Sequence, residues 1–353
     1  MKRAAFFLLA ALLMFSVIGM VPANAQKKVV ALDGTFRILP DGTKAYRVKD
    51  IYTKGFEMLV ADLKGNLTSW GYDVKEINGL TSDNLKGVDA LVLAKIYDPS
   101  FNYTQSEISA VTAWFKSGGK FLYVGSDSDF VEPYYTADVG NFKEDQPNRV
   151  LEAAGSSLRI EFASVEDAVG FGAAGSPYRV FANETAGGVN KDGWAGTITK
   201  GVSRVLFHGP TVVIGFKAGK YAPLDQVLDE NTMWLFRTTD KGAIVHNTPT
   251  PTKVVTPGQR GRFYLAAAQK VKVNGAYSKV IAAGESILGD RNSSTAVERG
   301  VTLQGLQYIR NALAWGLTVE EIPIDYTMYI IVAAVVVVAI VGVVAVLRMR
   351  KKK

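Results

Sequence analysis

The feature that most constrains this chain is an uninterrupted apolar run near its C-terminus. Residues 328–347 contain no charged side chain, and five of the six residues that follow, 348–353, are Lys or Arg. Twenty residues at about 1.5 Å each match the hydrocarbon core of a bilayer, about 30 Å thick. Because cytoplasmic flanks are rich in Lys and Arg, the sequence predicts one transmembrane helix over 328–347 and a cytoplasmic tail over 348–353. A buried core helix with a solvated basic tail is the alternative.

The N-terminus carries the matching half of this topology. Lys2 and Arg3 precede an apolar stretch over 4–21, and Ala23-Asn24-Ala25 has the small residues of a cleavage site. This pattern predicts a signal peptide over 1–25, with an uncleaved anchor as the alternative. We therefore expect a single-pass type I protein of the cell membrane, with an extracellular domain over 26–318 and a linker over 319–327.

The net charge of +7 comes entirely from the two ends of the chain. Two of the 40 Lys and Arg precede residue 26 and five follow residue 347, while all 33 Asp and Glu lie between. The expected ectodomain is thus formally neutral, which gives no support for a nucleic-acid partner. The membrane partner predicted from the ends is the lipid bilayer.

Few residue types that commonly bind metals or act as nucleophiles are present. The chain has no cysteine, which excludes disulfides, thiol nucleophiles and thiolate metal sites. The two histidines, His208 and His246, give little basis for a histidine metal site, and no cofactor is expected.

The first part of the domain alternates strand and helix patterns. Apolar runs predict strands at 29–32, 72–77, 88–94 and 120–125. Helical spacing predicts one helix over 48–70 and another that begins at the capping box of Thr104 and Glu107 and ends at Gly118-Gly119. This order predicts an α/β fold with a doubly wound parallel sheet.

The pattern changes in the second half of the domain. Short alternating runs separated by Gly and Pro predict a β-rich elaboration of the same domain over about 159–261. Strand patterns at 263–268 and 279–283 and a helix over 302–315 then return to the α/β pattern.

Several segments of this α/β pattern resemble a known superfamily. They are the strand that ends at Asp33, Gly118-Gly119-Lys120-Phe121-Leu122-Tyr123-Val124-Gly125, Gly201-Val202-Ser203-Arg204-Val205, Ile281-Ala282-Ala283-Gly284-Glu285 with Gly289-Asp290, and Asn311-Ala312-Leu313-Ala314-Trp315. Together they resemble the class I glutamine-amidotransferase-like superfamily, in particular its membrane-anchored members, which include auxiliary extracytoplasmic proteins of gliding-type ABC transport systems. The resemblance covers most of 29–316 and implies a flavodoxin-like three-layer sandwich.

At the position of the family's catalytic cysteine, this chain carries other residue types. Amidotransferases of the superfamily carry a cysteine on a sharp turn after the strand that corresponds to 121–124, whereas this chain has Gly125-Ser126-Asp127-Ser128-Asp129. Ser126 is a candidate nucleophile with His208 or His246 as its base, but the glycines of a G-x-S-x-G elbow are missing. The alternative is a polar loop at the carboxyl edge of the sheet.

Four carboxylates follow predicted strands: Asp33, Asp127, Asp129 and Asp290. Because parallel strands end at the same edge, we expect these residues and Ser126 to form a ligand-binding site there. A Ca²⁺ site is the less favoured version of this hypothesis, since the spacing matches no calcium loop, and carboxylates that cap helices are the alternative. We therefore expect no metal.

Four N-x-S/T sequons, at Asn66, Asn102, Asn183 and Asn292, are candidate glycosylation sites on exposed loops.

These observations favour a non-catalytic ectodomain that binds a partner protein or a small ligand. The resemblance implies an accessory subunit of an ABC-type transport system. A surface serine hydrolase that uses Ser126 and a structural protein of the cell envelope are the alternatives.

Overall fold

The computed structural model describes residues 27–47, 56–93, 95–96, 99–130, 142–169, 176–288 and 294–322, and for 56–62 and 142 only the backbone. The predicted signal peptide, the apolar segment over 328–347, the basic tail, Asp290 and Asn292 lie outside these ranges. Within them, no helix is long and apolar enough to cross a membrane.

The described residues form the following elements. The strands are β1 (Val29–Asp33), β2 (Phe36–Ile38), β3 (Lys44–Tyr46), β4 (Asp73–Ile77), β5 (Ala90–Leu93), β6 (Phe121–Gly125), β7 (Leu158–Ile160), β8 (Ser164–Glu166), β9 (Arg179–Asn183), β10 (Arg204–His208), β11 (Val213–Lys217), β12 (Lys220–Ala222), β13 (Thr232–Arg237), β14 (Gly242–Val245), β15 (Arg260–Gly261), β16 (Tyr264–Val273), β17 (Ala276–Ala283), β18 (Val297–Glu298) and β19 (Val301–Thr302). The helices are α1 (Phe56–Ser69), α2 (Ser82–Leu85), α3 (Gln105–Lys116), α4 (Phe142–Ala153), α5 (Ala195–Ile198) and α6 (Gly305–Leu317).

The core of the fold is a seven-stranded sheet in the order β13-β16-β17-β6-β5-β1-β4. The strands β4, β1, β5, β6 and β17 are parallel, and β16 and β13 extend the sheet in antiparallel pairing. Side chains alternate between the faces, as for Val30 and Leu32 on one side and Ala31 on the other. The prediction of an α/β domain with a parallel core and additional β elements is confirmed.

Helices cover both faces of this sheet. α1 and α6 pack on the face of Leu32, and α3 and α4 pack on the face of Ala31. The predicted capping box begins α3, because Thr104 Oγ1 accepts from Glu107 N while Glu107 Oε2 accepts from Thr104 N. This cap fixes the start of a helix whose apolar side includes Ile108 and Phe115.

The strand predicted at 263–268 does not continue the parallel pattern. It belongs to β16, which forms an antiparallel hairpin with β17 through the two-residue turn Asn274-Gly275. Both turn residues have positive φ, 44° and 80°, as a tight hairpin turn requires. Two residues are too few for a crossover connection, so β16 and β17 must be antiparallel.

The elaboration predicted over 159–261 consists mainly of small sheets beside the core. These sheets pair β9 with β10, β7 and β12 with β11, and β8 and β15 with β14. One strand of this region, β13, instead extends the edge of the central sheet. Helix α4 precedes this region and begins at Phe142.

The predicted linker over 319–327 is attached to the domain at its start. Tyr277 N donates to Glu320 O at 3.0 Å, and Ile322 N donates to Gly275 O at 3.1 Å. Residues 319–322 are therefore hydrogen-bonded to the fold, because the start of β17 leaves backbone groups that this segment can pair with.

Candidate functional site

A buried group of charged side chains lies at the carboxyl ends of the parallel strands. We call it the carboxyl-edge cluster, and its members are Lys95 after β5, Asp127 and Asp129 after β6, Lys143 and Glu144 at the start of α4, His246 after β14 and Glu285 after β17. All of its members except His246 are buried. The carboxyl edge of a parallel sheet is where α/β folds usually bind ligands.

Asp127 lies between two lysines. Its Oδ2 atom is 3.0 Å from Lys95 Nζ and 3.3 Å from Lys143 Nζ, and Lys95 Nζ also lies 3.6 Å from Glu285 Oε1. Burial alone would raise the pKa of Asp127, but Lys143 and Lys95 outweigh it and hold that pKa below its usual value. Asp127 is therefore a charged, internally paired carboxylate at neutral pH.

Asp129 connects the end of β6 to the β-rich elaboration. Its Oδ1 accepts hydrogen bonds from Ser164 Oγ at 2.6 Å and Asn247 Nδ2 at 2.9 Å, and its Oδ2 accepts from Asn247 N at 2.7 Å. His246 Nδ1 lies 2.9 Å from the same Oδ2. The approach does not have the geometry of a hydrogen bond, so it places the imidazole beside Asp129 without fixing its orientation.

Glu144 differs from the other carboxylates of the cluster in its hydrogen bonding. It is fully buried, and among the described residues no hydrogen-bond donor reaches either carboxylate oxygen. Burial raises the pKa of Glu144 well above its usual value; Asp129 and Asp127 add to this increase, and Lys143 opposes it. Glu144 therefore keeps its proton to a higher pH in the folded protein than in the unfolded chain.

This burial predicts a pH-dependent stability effect at Glu144. The unfolded chain releases this proton at a lower pH than the folded chain, so its stabilising contribution is complete below the unfolded pKa and is lost as pH rises through the folded pKa. We expect Glu144→Gln to match the wild type at pH 4 and to be more stable than it at pH 8, measured by urea unfolding. Glu152→Gln removes an exposed carboxylate from the same helix and is the control. Equal pH dependence of the wild type and Glu144→Gln would contradict the expectation.

The side-chain hydroxyl of Ser126 is hydrogen-bonded to the backbone. Its Oγ donates to Lys143 O at 2.7 Å rather than to an imidazole, and the residue is 1% exposed. The positive-φ residues of the described chain other than glycine are Ala218, Asn274 and Arg299, so Ser126 does not adopt the strained turn of a nucleophile elbow. Sequence reasoning placed Ser126 at this edge, but its hydroxyl supports the start of α4.

Asp33 lies in a different polar cluster from Asp127 and Asp129. Its Oδ2 is 3.0 Å from Arg47 Nη1, and its Oδ1 accepts from the backbone and side chain of Thr35. Arg47 also contacts both carboxylate oxygens of Glu107, at 2.8 and 3.0 Å. The carboxylate of Asp33 is thus bound by Arg47 and Thr35, and it shares no described partner with Asp127 or Asp129.

Aromatic side chains border the carboxyl-edge cluster. Phe130 is 51% exposed, and its carbonyl accepts from Lys143 Nζ at 2.9 Å. Tyr178 is 41% exposed and packs edge-on against His208 at a centroid distance of 5.4 Å. Ser128 N donates to Gly209 O and Gly209 N donates to Tyr178 O, so this aromatic rim adjoins the cluster.

The sequons occupy different local structures. Asn102 is exposed before α3, whereas Asn66 lies half-buried in α1 and Asn183 ends β9 with its Oδ1 accepting from Thr185 N. Asn66 is thus on a helix rather than on an expected loop. Glycosylation at these residues stays a prediction.

Among the described residues no group of three or more His, Asp and Glu is arranged to hold a metal ion. Sequence reasoning missed Lys95, Lys143, Glu144 and Glu285. Lys95 and Glu285 lie within two residues of the ends of predicted strands and share the signal that singled out Asp127, whereas no pattern marked Lys143 or Glu144.

Comparison with known proteins adds little. No family model and no curated protein matches this chain. One similar solved structure is the mmIFT52 N-terminal domain, with 14% identity, 84% of this chain and 100% of that chain covered, and a TM-score of 0.49. Another is described as a GMP synthase component from Thermoplasma acidophilum, with 10% identity, coverage of 82% and 94%, and a TM-score of 0.36. Because both scores are below 0.5, neither similarity supports an argument.

Proposed function

We propose that this chain is a membrane-anchored, non-catalytic extracellular module that binds a partner at the carboxyl edge of its sheet. The observation that carries the proposal is that polar side chains after β6 are bound by other residues of the domain. Ser126 donates to Lys143 O, and Asp127 is held between Lys95 and Lys143. These side chains are committed to internal contacts, while the rim beside them is exposed.

The aromatic rim supports binding of a protein surface. Phe130 and Tyr178 expose apolar rings next to a polar cluster, and aromatic residues are enriched where proteins bind one another. Glu144 adds a fully buried carboxyl group whose oxygens accept no hydrogen bond from the described residues.

The strand order supports a flavodoxin-like fold for this module. The five parallel strands follow one another along the chain as β1, β4, β5, β6 and β17. Across the sheet they lie in the order β4-β1-β5-β6-β17, so the first two strands of the chain exchange places. This is the order of flavodoxin-like sheets, in which the strand order reverses between the first and third strands, here β1 and β5. It agrees with the resemblance of the sequence to the amidotransferase-like superfamily.

The two ends of the chain support membrane anchorage. We propose that residues 1–25 are a signal peptide and that 328–347 cross the membrane, with 348–353 in the cytoplasm. The resemblance then favours an extracytoplasmic component of an ABC-type transport system as the partner.

Site-specific crosslinking tests the binding proposal. We expect a photo-crosslinking residue in place of Phe130 to capture a component of a transport system in native membranes. The same residue in place of Lys272, an exposed side chain on β16, is the control and is expected to capture none. Absence of a transporter crosslink at position 130, or equal capture at 272, would count against the proposal.

A serine hydrolase is the second candidate because His246 Nδ1 lies 2.9 Å from Asp129 Oδ2, although the two atoms do not form a hydrogen bond. A serine-reactive phosphonate probe separates the two functions. We expect no labelling of the wild type, and labelling that disappears in Ser126→Ala would favour the hydrolase instead.

A further inference from the structure

The chain leaves the described part of the domain beside the β16–β17 hairpin. Residues 319–322 lie antiparallel to the start of β17, with a bridge between Ala276 and Glu321. Ile322 N donates to the carbonyl of Gly275 in the hairpin turn. The last described residue is therefore fixed at the tip of this hairpin.

Lys279 links the exit segment, residues 319–322, to the sheet. Its buried Nζ donates to Trp315 O and Thr318 O, both at 2.8 Å, and lies 2.7 Å from Glu320 Oε1. Lys270 Nζ contacts the other oxygen of Glu320 at 2.6 Å. The end of α6, the start of β17 and the exit segment are thus joined by charge-assisted contacts, which are stronger than neutral hydrogen bonds.

The exit lies opposite the carboxyl-edge cluster. Lys279 pairs with Phe121, the first residue of β6, so the start of β17 and the hairpin turn extend beyond the amino end of β6. We call this end of the domain the amino pole. Since residues 319–322 run antiparallel to β17, the chain is directed away from the carboxyl edge as it leaves.

The lengths involved restrict how the domain can sit on a membrane. β17 has eight residues, or about 25 Å at about 3.3 Å each, and its last residue, Ala283, accepts a hydrogen bond from Ser126 N. Residues 323–327, which precede the apolar segment, span at most about 18 Å when fully extended. A domain with its carboxyl edge on the bilayer would need a longer tether.

We propose that the amino pole faces the bilayer and that the carboxyl-edge cluster faces the aqueous space. Its partner is then an extracytoplasmic protein domain that stands clear of the lipid, and not the headgroup surface. This inference rests on the membrane anchorage in the proposed function.

Energy transfer to lipid tests this orientation. The chain has no cysteine, so Lys272→Cys, near the hairpin tip, and Phe130→Cys, at the aromatic rim, each provide one site for a donor dye. The full chain is reconstituted into phosphatidylcholine vesicles that carry a headgroup-labelled acceptor lipid. We expect several-fold more efficient transfer from position 272 than from position 130.

A lengthened tether is the control. Inserting a flexible Gly-Ser segment of about 20 residues after Ile322 removes the length restriction, and we expect the difference between the two positions to shrink. Flotation with the vesicles, compared with a chain truncated after Ile322, tests anchorage separately. A full chain that does not float overturns both the anchorage and the orientation. A chain that floats but shows equal or reversed transfer overturns the orientation alone.

Discussion

Replacement of Arg47 by methionine is expected to lower the free energy of unfolding by about 3–5 kcal/mol, as is typical when one partner of a buried ion pair is removed. Arg47 is 2% exposed and is paired with Asp33, which is fully buried, and with Glu107. Burial alone would lower the pKa of Arg47, yet Asp33 and Glu107 raise it above its usual value. The methionine variant would leave Asp33 as a buried charge without its cation. Urea unfolding followed by tryptophan fluorescence measures the loss.

A surface pair provides the matched control for Arg47. Lys64 and Glu76 approach to 2.7 Å with side chains that are 50% and 33% exposed. We expect Lys64→Met to cost about 0–1 kcal/mol. The double variant Asp33→Asn/Arg47→Met should lose less than the sum of its single changes, because the uncompensated charge is absent. A loss at Arg47 no larger than that at Lys64 would show that the buried pair is not required.

Gly284→Ala is expected to destabilise the domain by about 3 kcal/mol, at the upper end of typical overpacking costs. A Cβ atom at Gly284 would lie 2.0 Å from Thr211 O and 2.7 Å from Thr211 C, which are backbone atoms that cannot rotate away. The same residues are hydrogen-bonded, since Thr211 N donates to Gly284 O at 3.1 Å. The extra methyl group must therefore separate the end of β17 from the elaboration, next to Glu285. Urea unfolding measures the effect.

Gly65 provides the opposite case for the same substitution. It lies in α1, and a Cβ atom there would meet nothing within 4 Å. Gly65→Ala should stabilise the domain by about 0.5–1 kcal/mol because alanine loses less backbone freedom in a helix. Similar effects at the two glycines would contradict the close contact assigned to Gly284.

Periodicity and capping signals predicted most elements of the α/β part. The strand around Val30, the capping box at Thr104 and the strand that ends at Gly125 are examples, since each depends on residues within a few positions of one another. The direction of β16 was missed, although Asn274-Gly275 between two alternating runs is a strong hairpin signal.

The sequence predicted where several site residues lie in the fold, but not which side chains contact one another. The positions of Ser126, Asp127 and Asp129 after a strand placed them at the carboxyl edge. Nothing local indicates that Lys143, 16 residues away, binds Asp127, or that Asn247, 118 residues away, binds Asp129. Asp33 also lies at the end of a strand, but its carboxylate contacts Arg47 rather than the residues that bind Asp127 and Asp129.

The sequence by itself determined the neutral charge of residues 26–327, the lack of thiol chemistry and the local pattern of strands and helices, because each follows from composition or from short-range spacing. Only the tertiary structure decided which charges neutralise one another, that Glu144 has no donor among the described residues, and that residues 319–322 leave the domain at the pole opposite the carboxyl-edge cluster. The physical reason is that pairing energies depend on distance and burial, which arise when segments far apart in the chain pack together.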